Sequence, residues 1–242
     1  MNADELVALL NFYLTPMSDI IMSEGGMVDK YEGDAIVALV GAPLKMEDHA
    51  SRACRAAIKM KKREKEMNDQ IVSYSISDAT DIPENLRSAF KKLTSNNRRI
   101  FTRIGINSGE MVAGFMGSEN KKNYTMMGNN VNLASRLEGV NKQYSTGGIL
   151  ISEATRNLIG DEFVVRSLDR VQVVNVKTPM RLYELMEVKE DANEKLLKYV
   201  EFWEIAMKTF EQGDFNKALE MFQKCSAANT DDNVAKYYVS LL

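Results

Sequence analysis

Apolar residues recur at helical spacing over the first part of the chain, from Leu6 through Tyr13 to Ile21. A period of about 3.6 residues is typical of an amphipathic helix. Asn2 or Asp4 can cap its start, and the glycines at 25 and 26 can end it. The pattern therefore predicts a helix that begins almost at the first residue.

Two apolar arms then flank Glu32-Gly33-Asp34, which predicts a β-hairpin over residues 25–41 with a tight tip. Lys30 and Asp34 carry opposite charges on either side of this turn. A carboxylate at the tip is a candidate Mg²⁺ ligand, because this ion is often held by one or two carboxylates together with substrate phosphates. The alternative is that Asp34 only forms the turn and Lys30 is a solvated charge.

The periodicity changes repeatedly between helical and strand-like values after the hairpin. A face of small residues predicts a helix over 47–69, and a polar excursion over 71–98 holds a short helix near 84–93. Alternation and turn residues predict further elements: strands over 101–107, 111–117, 148–152, 163–176 and 181–187, and helices from Asn129 or Asn130 and over 152–159. Interleaved strands and helices indicate an α+β or α/β sandwich.

One of these helices carries a candidate binding pair. Asn132 and Arg136 are four residues apart and so share one helical face. An amide and a guanidinium near a helix N-terminus suit a phosphate or a ribose. The alternative is an ordinary pair on a helix surface.

The character of the chain changes at Asp191, after which three helical segments follow without a strand pattern. Residues 199–232 fit one unit of the tetratricopeptide type, whose period is about 34 residues, with Gly213 at the turn between helices. A single repeat cannot bury its apolar face alone. We therefore expect this extension either to pack on the preceding domain or to bind a second copy or another protein.

Composition removes several function classes. The 31 basic and 34 acidic side chains give a net charge of −3, which does not favour nucleic acid as a partner. The two cysteines fit no metal spacing and indicate a reducing compartment. No apolar run reaches about 18 residues, so no membrane span is expected. The chain is thus expected to be cytoplasmic, or the cytoplasmic portion of a longer, membrane-attached protein.

Read together, the motifs resemble the catalytic domain of class III nucleotidyl (adenylyl and guanylyl) cyclases, of the bacterial adenylyl cyclase type, over residues 1–188. The segments that carry the resemblance are GGMVDKYEGDAI from Gly25, GAP from Gly41, RIGINSG from Arg103, GFMG from Gly114 and YTMMGNNVNLASRLE from Tyr124. The resemblance implies an α+β, ferredoxin-like fold with a mixed sheet and an insertion at 71–98, and the helical extension at 191–242 lies beyond it. It also implies a head-to-tail homodimer, in which one subunit supplies the metal-binding aspartates and the other the base, ribose and phosphate contacts.

The resemblance also assigns a chemistry. In the family the ribose 3′-oxygen of ATP attacks the α-phosphorus, which yields 3′,5′-cyclic AMP and pyrophosphate. Two Mg²⁺ or Mn²⁺ ions are held by two aspartates, of which Asp34 matches the second. Lys30 and Thr125 match the purine-reading pair: the lysine donates to N1 of adenine, and the threonine accepts from the exocyclic amine. Guanylyl enzymes usually place an acidic residue and a cysteine there, so this pair favours ATP.

Three further residues match the family's pattern. Asn132 is similar to the residue that orients the ribose, Arg136 to the one that stabilises the transition state, and Lys177 to the one that binds the terminal phosphates. Glu110, in contrast, stands where some members carry a basic phosphate contact.

One feature of the family is not found in this sequence. Its first strand, which carries the first metal aspartate, is expected roughly 10–20 residues before the helix at Leu6, where this chain has no residues. We expect a domain without that strand, with a hydrogen-bonding gap in its sheet, either as a truncated form or as a natural remnant.

Two functions remain open from the sequence. The first is an adenylyl cyclase domain with little activity in this form. An upstream regulatory domain is compatible with this function. The second is a degenerate dimerisation or nucleotide-sensing module without catalysis. Diguanylate synthesis is a third candidate, but the hairpin lacks the Gly-Gly-Asp/Glu-Glu-Phe-like motif that it requires.

Overall fold

A capped helix, α1 (Ala3–Ser23), begins the computed structural model, which describes residues 1–76, 81–171 and 179–242. The Asn2 side chain accepts from the backbone N–H of Glu5, and the Glu5 side chain accepts from that of Asn2. This reciprocal capping box satisfies two helix-end donors and confirms the predicted start. The helix ends just before Gly25, whose φ of +80° suits glycine.

Helix α1 is the only helix in the described ranges that is long and apolar enough to cross a membrane by length and composition alone. The sequence criterion was an uninterrupted apolar run of about 18 residues, which α1 does not contain because Asn11 and Asp19 interrupt it, so the expectation of no membrane span stays a prediction. Core helices of soluble proteins are often as long and apolar, and α1 buries Met17 and Ile21 and contacts four neighbouring elements of its own unit, β1, β2, α2 and α3.

The predicted hairpin is confirmed. Strand β1 (Gly26–Glu32) pairs antiparallel with β2 (Ala35–Val40). Gly33 and Asp34 form the two-residue turn, in which Gly33 takes a φ of +67°.

Two helices complete the first of two compact units, Met1–Thr102. Helix α2 (His49–Ile76) runs seven residues beyond its predicted end, because Ile71 continues its buried face. Helix α3 (Glu84–Ser95) agrees with the prediction near 84–93 and packs on both α1 and α2.

The second unit, Arg103–Leu242, is built on a four-stranded sheet. Its first elements in chain order are β3 (Ile104–Ile106), β4 (Val112–Ser118), β5 (Lys121–Met127), α4 (Asn129–Tyr144), β6 (Ile149–Ser152), α5 (Glu153–Leu158), β7 (Phe163–Val171) and β8 (Met180–Val188). The sheet order is β3-β6-β8-β7, with β3 and β6 parallel and the other pairs antiparallel. The mixed α+β architecture is thus confirmed, while β4 and β5 form a separate hairpin.

Three further helices, α6 (Glu194–Glu211), α7 (Phe215–Ala228) and α8 (Asn233–Leu241), follow a short 3-10 turn. Trp203 and Phe222 from this extension share one buried cluster with Leu168 and Leu182 of the sheet. The Trp203 indole N–H donates to the Ser167 carbonyl at 2.8 Å. The extension therefore packs on the sheet of its own unit, which is one of the two expected arrangements.

A buried ionic network fixes this packing. The Arg166 guanidinium on β7 donates to Glu184 on β8 and to Asp232, which caps α8. Burial opposes ionisation of Asp232, but the hydrogen bonds and charge of Arg166, helped by the Tyr199 hydroxyl, outweigh it and hold its pKa below the usual range. A buried carboxylate thus remains charged because it is fully paired.

The position of Gly213 in the turn between α6 and α7 agrees with its predicted place, and its φ is +83°. The likeness to a tetratricopeptide unit and any partner of the extension stay predictions. The predicted domain limits, 1–188 and 191–242, also stay predictions. The structure itself divides into two compact units after Thr102.

Candidate functional site

The hairpin of the first unit carries two of the predicted site residues. Lys30 lies on β1 with its side chain 46% exposed, and Asp34 lies in the exposed turn. The Lys30 ammonium lies 3.2 Å from a carboxylate oxygen of Asp29.

Tyr13 on α1 feels the charge of the hairpin turn. Burial raises the pKa of Tyr13, and the negative charges of Glu64 and Asp34 add to that effect.

Helix α4 of the second unit presents the predicted pair on its outer face. Leu133 and Leu137 are buried on one side, whereas Asn132 is exposed and Arg136 is half-buried. The helix starts at Asn129 after Gly128, which has a φ of +148° and supplies no side-chain cap. Asn132 therefore lies in the first turn of the helix, where anions are favoured, and Arg136 follows one turn later on the same face.

Polar residues that the motif comparison did not single out hold the start of α4. The Asn107 amide donates to the backbone carbonyl of Asn130 at 3.0 Å and to its side-chain oxygen at 3.2 Å. The Asn130 amide in turn donates to the Glu110 carbonyl at 2.9 Å. Both asparagines stand in the motifs, but only the tertiary contact shows that they fix the helix start.

Gly105 sets the distance between α4 and strand β3. A Cβ at this position would lie 2.2 Å from the Ala134 carbonyl oxygen and 2.5 Å from the Glu138 nitrogen. These are backbone atoms that cannot move aside alone. The glycine therefore permits the close approach that places the Asn132–Arg136 face.

Thr125 lies on β5 opposite Gly114, four residues before the start of α4. In the second unit, Thr125, Asn132 and Arg136 thus stand on two consecutive elements, and in the first unit Lys30 and Asp34 stand on one hairpin. Lys177 lies outside the described residues, as do the last five residues of the strand predicted over 163–176.

The described residues do not by themselves form a complete metal centre. Across the described ranges, no group of three or more His, Cys, Asp or Glu side chains is arranged to hold an ion. Asp34 supplies a single exposed carboxylate. The predicted two-ion site does not fit this donor set, and we derive no reaction step through a metal.

Comparison with known proteins decides the family. Residues 1–187 match the family described as adenylate and guanylate cyclase catalytic domain. The chain belongs to this family. The match covers both the Lys30 hairpin and the Asn132–Arg136 helix.

Relatives and solved structures of this cyclase domain include both activities. This chain is 32% identical over 190 residues to adenylate cyclase 1 of Rhizobium meliloti. The match covers 78% of this chain and 25% of that protein. The adenylyl cyclase CyaB from P. aeruginosa superposes with a TM-score of 0.64 at 29% identity, over 80% of this chain and 88% of that one. The guanylyl cyclase Cya2 superposes with a TM-score of 0.63 at 33% identity, over 80% and 86%.

The chain spans between a tenth and a third of the length of the curated relatives that it matches first. Neither the family nor the overall likeness selects the purine base, since an adenylyl and a guanylyl enzyme superpose equally well. That choice depends on the individual side chains.

Proposed function

We propose that this cyclase domain converts ATP to 3′,5′-cyclic AMP and pyrophosphate. The observation that carries the proposal is the identity of the purine-reading pair, Lys30 and Thr125. An ammonium matches the N1 acceptor of adenine, whereas guanine presents an N1–H donor there. A site built for one base edge leaves polar groups unpaired with the other.

The Asn132–Arg136 face supplies the other contacts. Asn132 orients the ribose so that its 3′-oxygen faces the α-phosphorus, which removes the entropic cost of alignment from the reaction. The Arg136 guanidinium neutralises the charge that develops on the α-phosphate oxygens as pyrophosphate departs. Lys177 is assigned to the terminal phosphates on the resemblance alone.

Asp34 is proposed as one carboxylate ligand of a Mg²⁺ or Mn²⁺ ion that arrives with the nucleotide. Its exposed position in a tight turn is compatible with that role. Beyond Asp34, the described part of the chain offers no clustered donors for a second ion.

A homodimer is proposed as the functional assembly, and the β4–β5 hairpin supports it. Phe115 is 75% exposed and Val112 and Met127 are also exposed, in a two-stranded sheet that is not hydrogen-bonded to the main one. An isolated two-stranded hairpin is only marginally stable in water. Val112 pairs with Met127 and Phe115 with Tyr124 in a regular register, so Phe115 lies on the face opposite Val112 and Met127. A second copy that covers the Phe115 face would stabilise the hairpin, and a symmetric dimer would do so twice.

The test is product formation from ATP and from GTP by the whole chain, with Mg²⁺ or Mn²⁺, read by mass spectrometry of the nucleotides. We expect cyclic AMP in excess over cyclic GMP, at the low rate of a domain whose described residues offer one candidate metal-binding aspartate, Asp34. Arg136→Ala should lower kcat by about a hundredfold or more with little change in KM, because the lost interaction acts mainly in the transition state. Lys142→Ala, on the exposed surface of the same helix, is the matched control and should retain activity.

The isolated carboxylate at Asp34 favours a second candidate, a nucleotide-binding module without catalysis. It predicts ATP binding by calorimetry and no cyclic product under any metal condition. Cyclic AMP formation that depends on Arg136 rules out this candidate, and a cyclic GMP excess contradicts the purine assignment.

A further inference from the structure

Strand β1 contains a bulge at Asp29. Val28 pairs with Ala38 and Lys30 pairs with Val37, so that two steps along β1 correspond to one step along β2 and the register shifts at Asp29. In a regular strand, neighbouring side chains point to opposite faces of the sheet. A bulge alters that alternation and redirects a side chain, and bulges are frequent beside active sites.

The consequence of the bulge is an ion pair between sequence neighbours. The Lys30 ammonium lies 3.2 Å from a carboxylate oxygen of Asp29. Asp29 is the only carboxylate within the described ranges that forms an ion pair with Lys30. The geometry of the strand thus brings together two charges that would otherwise lie on opposite faces.

The two partners differ in exposure. The Asp29 side chain is 2% exposed, and that of Lys30 is 46% exposed. The carboxylate is therefore a fixed, buried anchor, while the ammonium at the end of a flexible stem reaches solvent. An ammonium has three N–H donors, so a contact with Asp29 leaves donors available for a ligand.

We infer that Asp29 is a positioning residue that holds the Lys30 ammonium in place to read the purine base. The inference rests on the proposed function, since it assigns the base contact to Lys30. A lysine that is already held loses fewer rotamers when the nucleotide binds. It also cannot easily swing from the N1 position toward the O6 acceptor of guanine, so the same anchor strengthens the preference for ATP over GTP.

The first measurement needs no nucleotide. Lysine side-chain NMR of the whole chain reports the mobility of the Lys30 ammonium. We expect Asp29→Asn to increase that mobility, and Asp29→Glu, which keeps the charge, to increase it less. Glu32→Gln removes an exposed carboxylate from the same strand and should leave the Lys30 signal unchanged.

The second measurement is the ratio of GTP to ATP dissociation constants, by calorimetry. We expect Asp29→Asn to reduce this ratio by about tenfold, chiefly through weaker ATP binding, and Glu32→Gln to preserve it. Asp29→Glu should fall between Asp29→Asn and the parent. A purely structural role for Asp29 would weaken both nucleotides equally and leave the ratio unchanged.

The outcomes separate this inference from the proposed function. An unchanged Lys30 mobility in a folded Asp29→Asn chain overturns the positioning role, and so does greater mobility with an unchanged base preference. If Asp29→Asn does not fold, Asp29→Glu decides. A GTP-to-ATP ratio below that of the parent, while Glu32→Gln keeps the parent ratio, supports the role, and an Asp29→Glu ratio equal to that of the parent overturns it. Failure of the parent chain to bind ATP contradicts the proposed function, whereas the mobility measurement still decides whether Asp29 holds Lys30.

Discussion

At the scale of single residues, Glu5 shows how one carboxylate joins two helices of the first unit. It accepts from the Lys92 ammonium at 2.7 Å and from the Ser88 hydroxyl at 2.6 Å, both on α3, while it also caps α1. The hydrogen bond from Lys92 is the main cause that lowers the pKa of Glu5 from 4.5 to about 2, with Ser88 and Asn2 adding to it.

The sign of the resulting pH dependence follows from that shift. A carboxyl whose pKa is lower in the folded state stabilises the fold fully above its unfolded pKa, near 4.5, and the stabilisation disappears as the pH falls toward 2. We expect Glu5→Gln to lower the urea midpoint at pH 7 and to reduce its decline between pH 4.5 and 2. Circular dichroism over a pH series measures both.

Glu47→Gln is the control, because the Glu47 side chain is 87% exposed. It should keep the midpoint and the pH slope of the parent chain. A Glu5→Gln chain with the full acid slope would show that other carboxylates cause the decline.

At the scale of elements, spacing within the chain predicted those whose signals are local. The α1 cap and the glycine turn of the β1–β2 hairpin are read directly from neighbouring residues. The end of α2 was not, because the helical period is weak after residue 70, and it is the burial of Ile71 in the folded chain that continues the helix face. Packing against α3, which lies further along the chain, determined that end.

The candidate site divides in the same way. The motifs located Lys30, Asp34, Thr125, Asn132 and Arg136. They could not show the supports, since the Asn107–Asn130 bonds and the Asp29 bulge depend on which backbone atoms become neighbours. The same holds for Arg166, an ordinary strand charge in sequence, whose partner Asp232 lies 66 residues away.

Alanine substitutions at two glycines, Gly105 and Gly139, test how closely α4 must approach β3. Gly105→Ala would place a methyl group against two backbone atoms of α4, and we expect a loss of about 1–3 kcal/mol in the free energy of unfolding. Gly139 lies on α4 itself, and the methyl group of Gly139→Ala meets nothing within 4 Å. Because alanine favours helix, this control should gain up to about 1 kcal/mol.

Trp203, the single tryptophan, lies in the same unit, so its fluorescence reports the unfolding of both variants. Activity adds a second readout. Gly105→Ala should lower cyclic AMP formation at temperatures where it remains folded, since the helix that carries Asn132 and Arg136 must shift. Equal stability of the two variants would show that the strand and helix can separate without cost.

At the scale of the whole molecule, the packed C-terminal helices and the exposed β4–β5 hairpin mark two different surfaces of the second unit. The extension buries Trp203, Phe222 and Tyr238 in the cluster that it shares with the sheet, whereas Phe215 at the start of α7 stays exposed. The hairpin instead leaves Phe115 exposed, in edge-to-face contact with Tyr124 at 5.5 Å. Exposed apolar residues of the extension such as Ile205 and Phe215 lie on separate helices, whereas those of the hairpin lie on one pair of strands, which is the surface that we assign to a second copy.

Replacement of Phe115 tests that assignment. Burial of a phenylalanine stabilises an interface by about 1.5–3 kcal/mol, and a symmetric dimer contains the residue twice. Phe115→Ser should therefore raise the dimer dissociation constant by about a hundredfold or more, as measured by sedimentation velocity. Leu158→Ser, which removes an exposed leucine from α5, should leave it unchanged.

Catalysis supplies the decisive comparison for the dimer. If two copies share each active site, specific activity must fall on dilution through the dissociation constant, and Phe115→Ser must move that fall to higher protein concentration while Trp203 reports an intact fold. At concentrations that restore the dimer, the variant should recover the parent activity, because Phe115 has no part in the chemistry. An activity independent of protein concentration, in a chain that sediments as a monomer, would instead require a complete site within one copy.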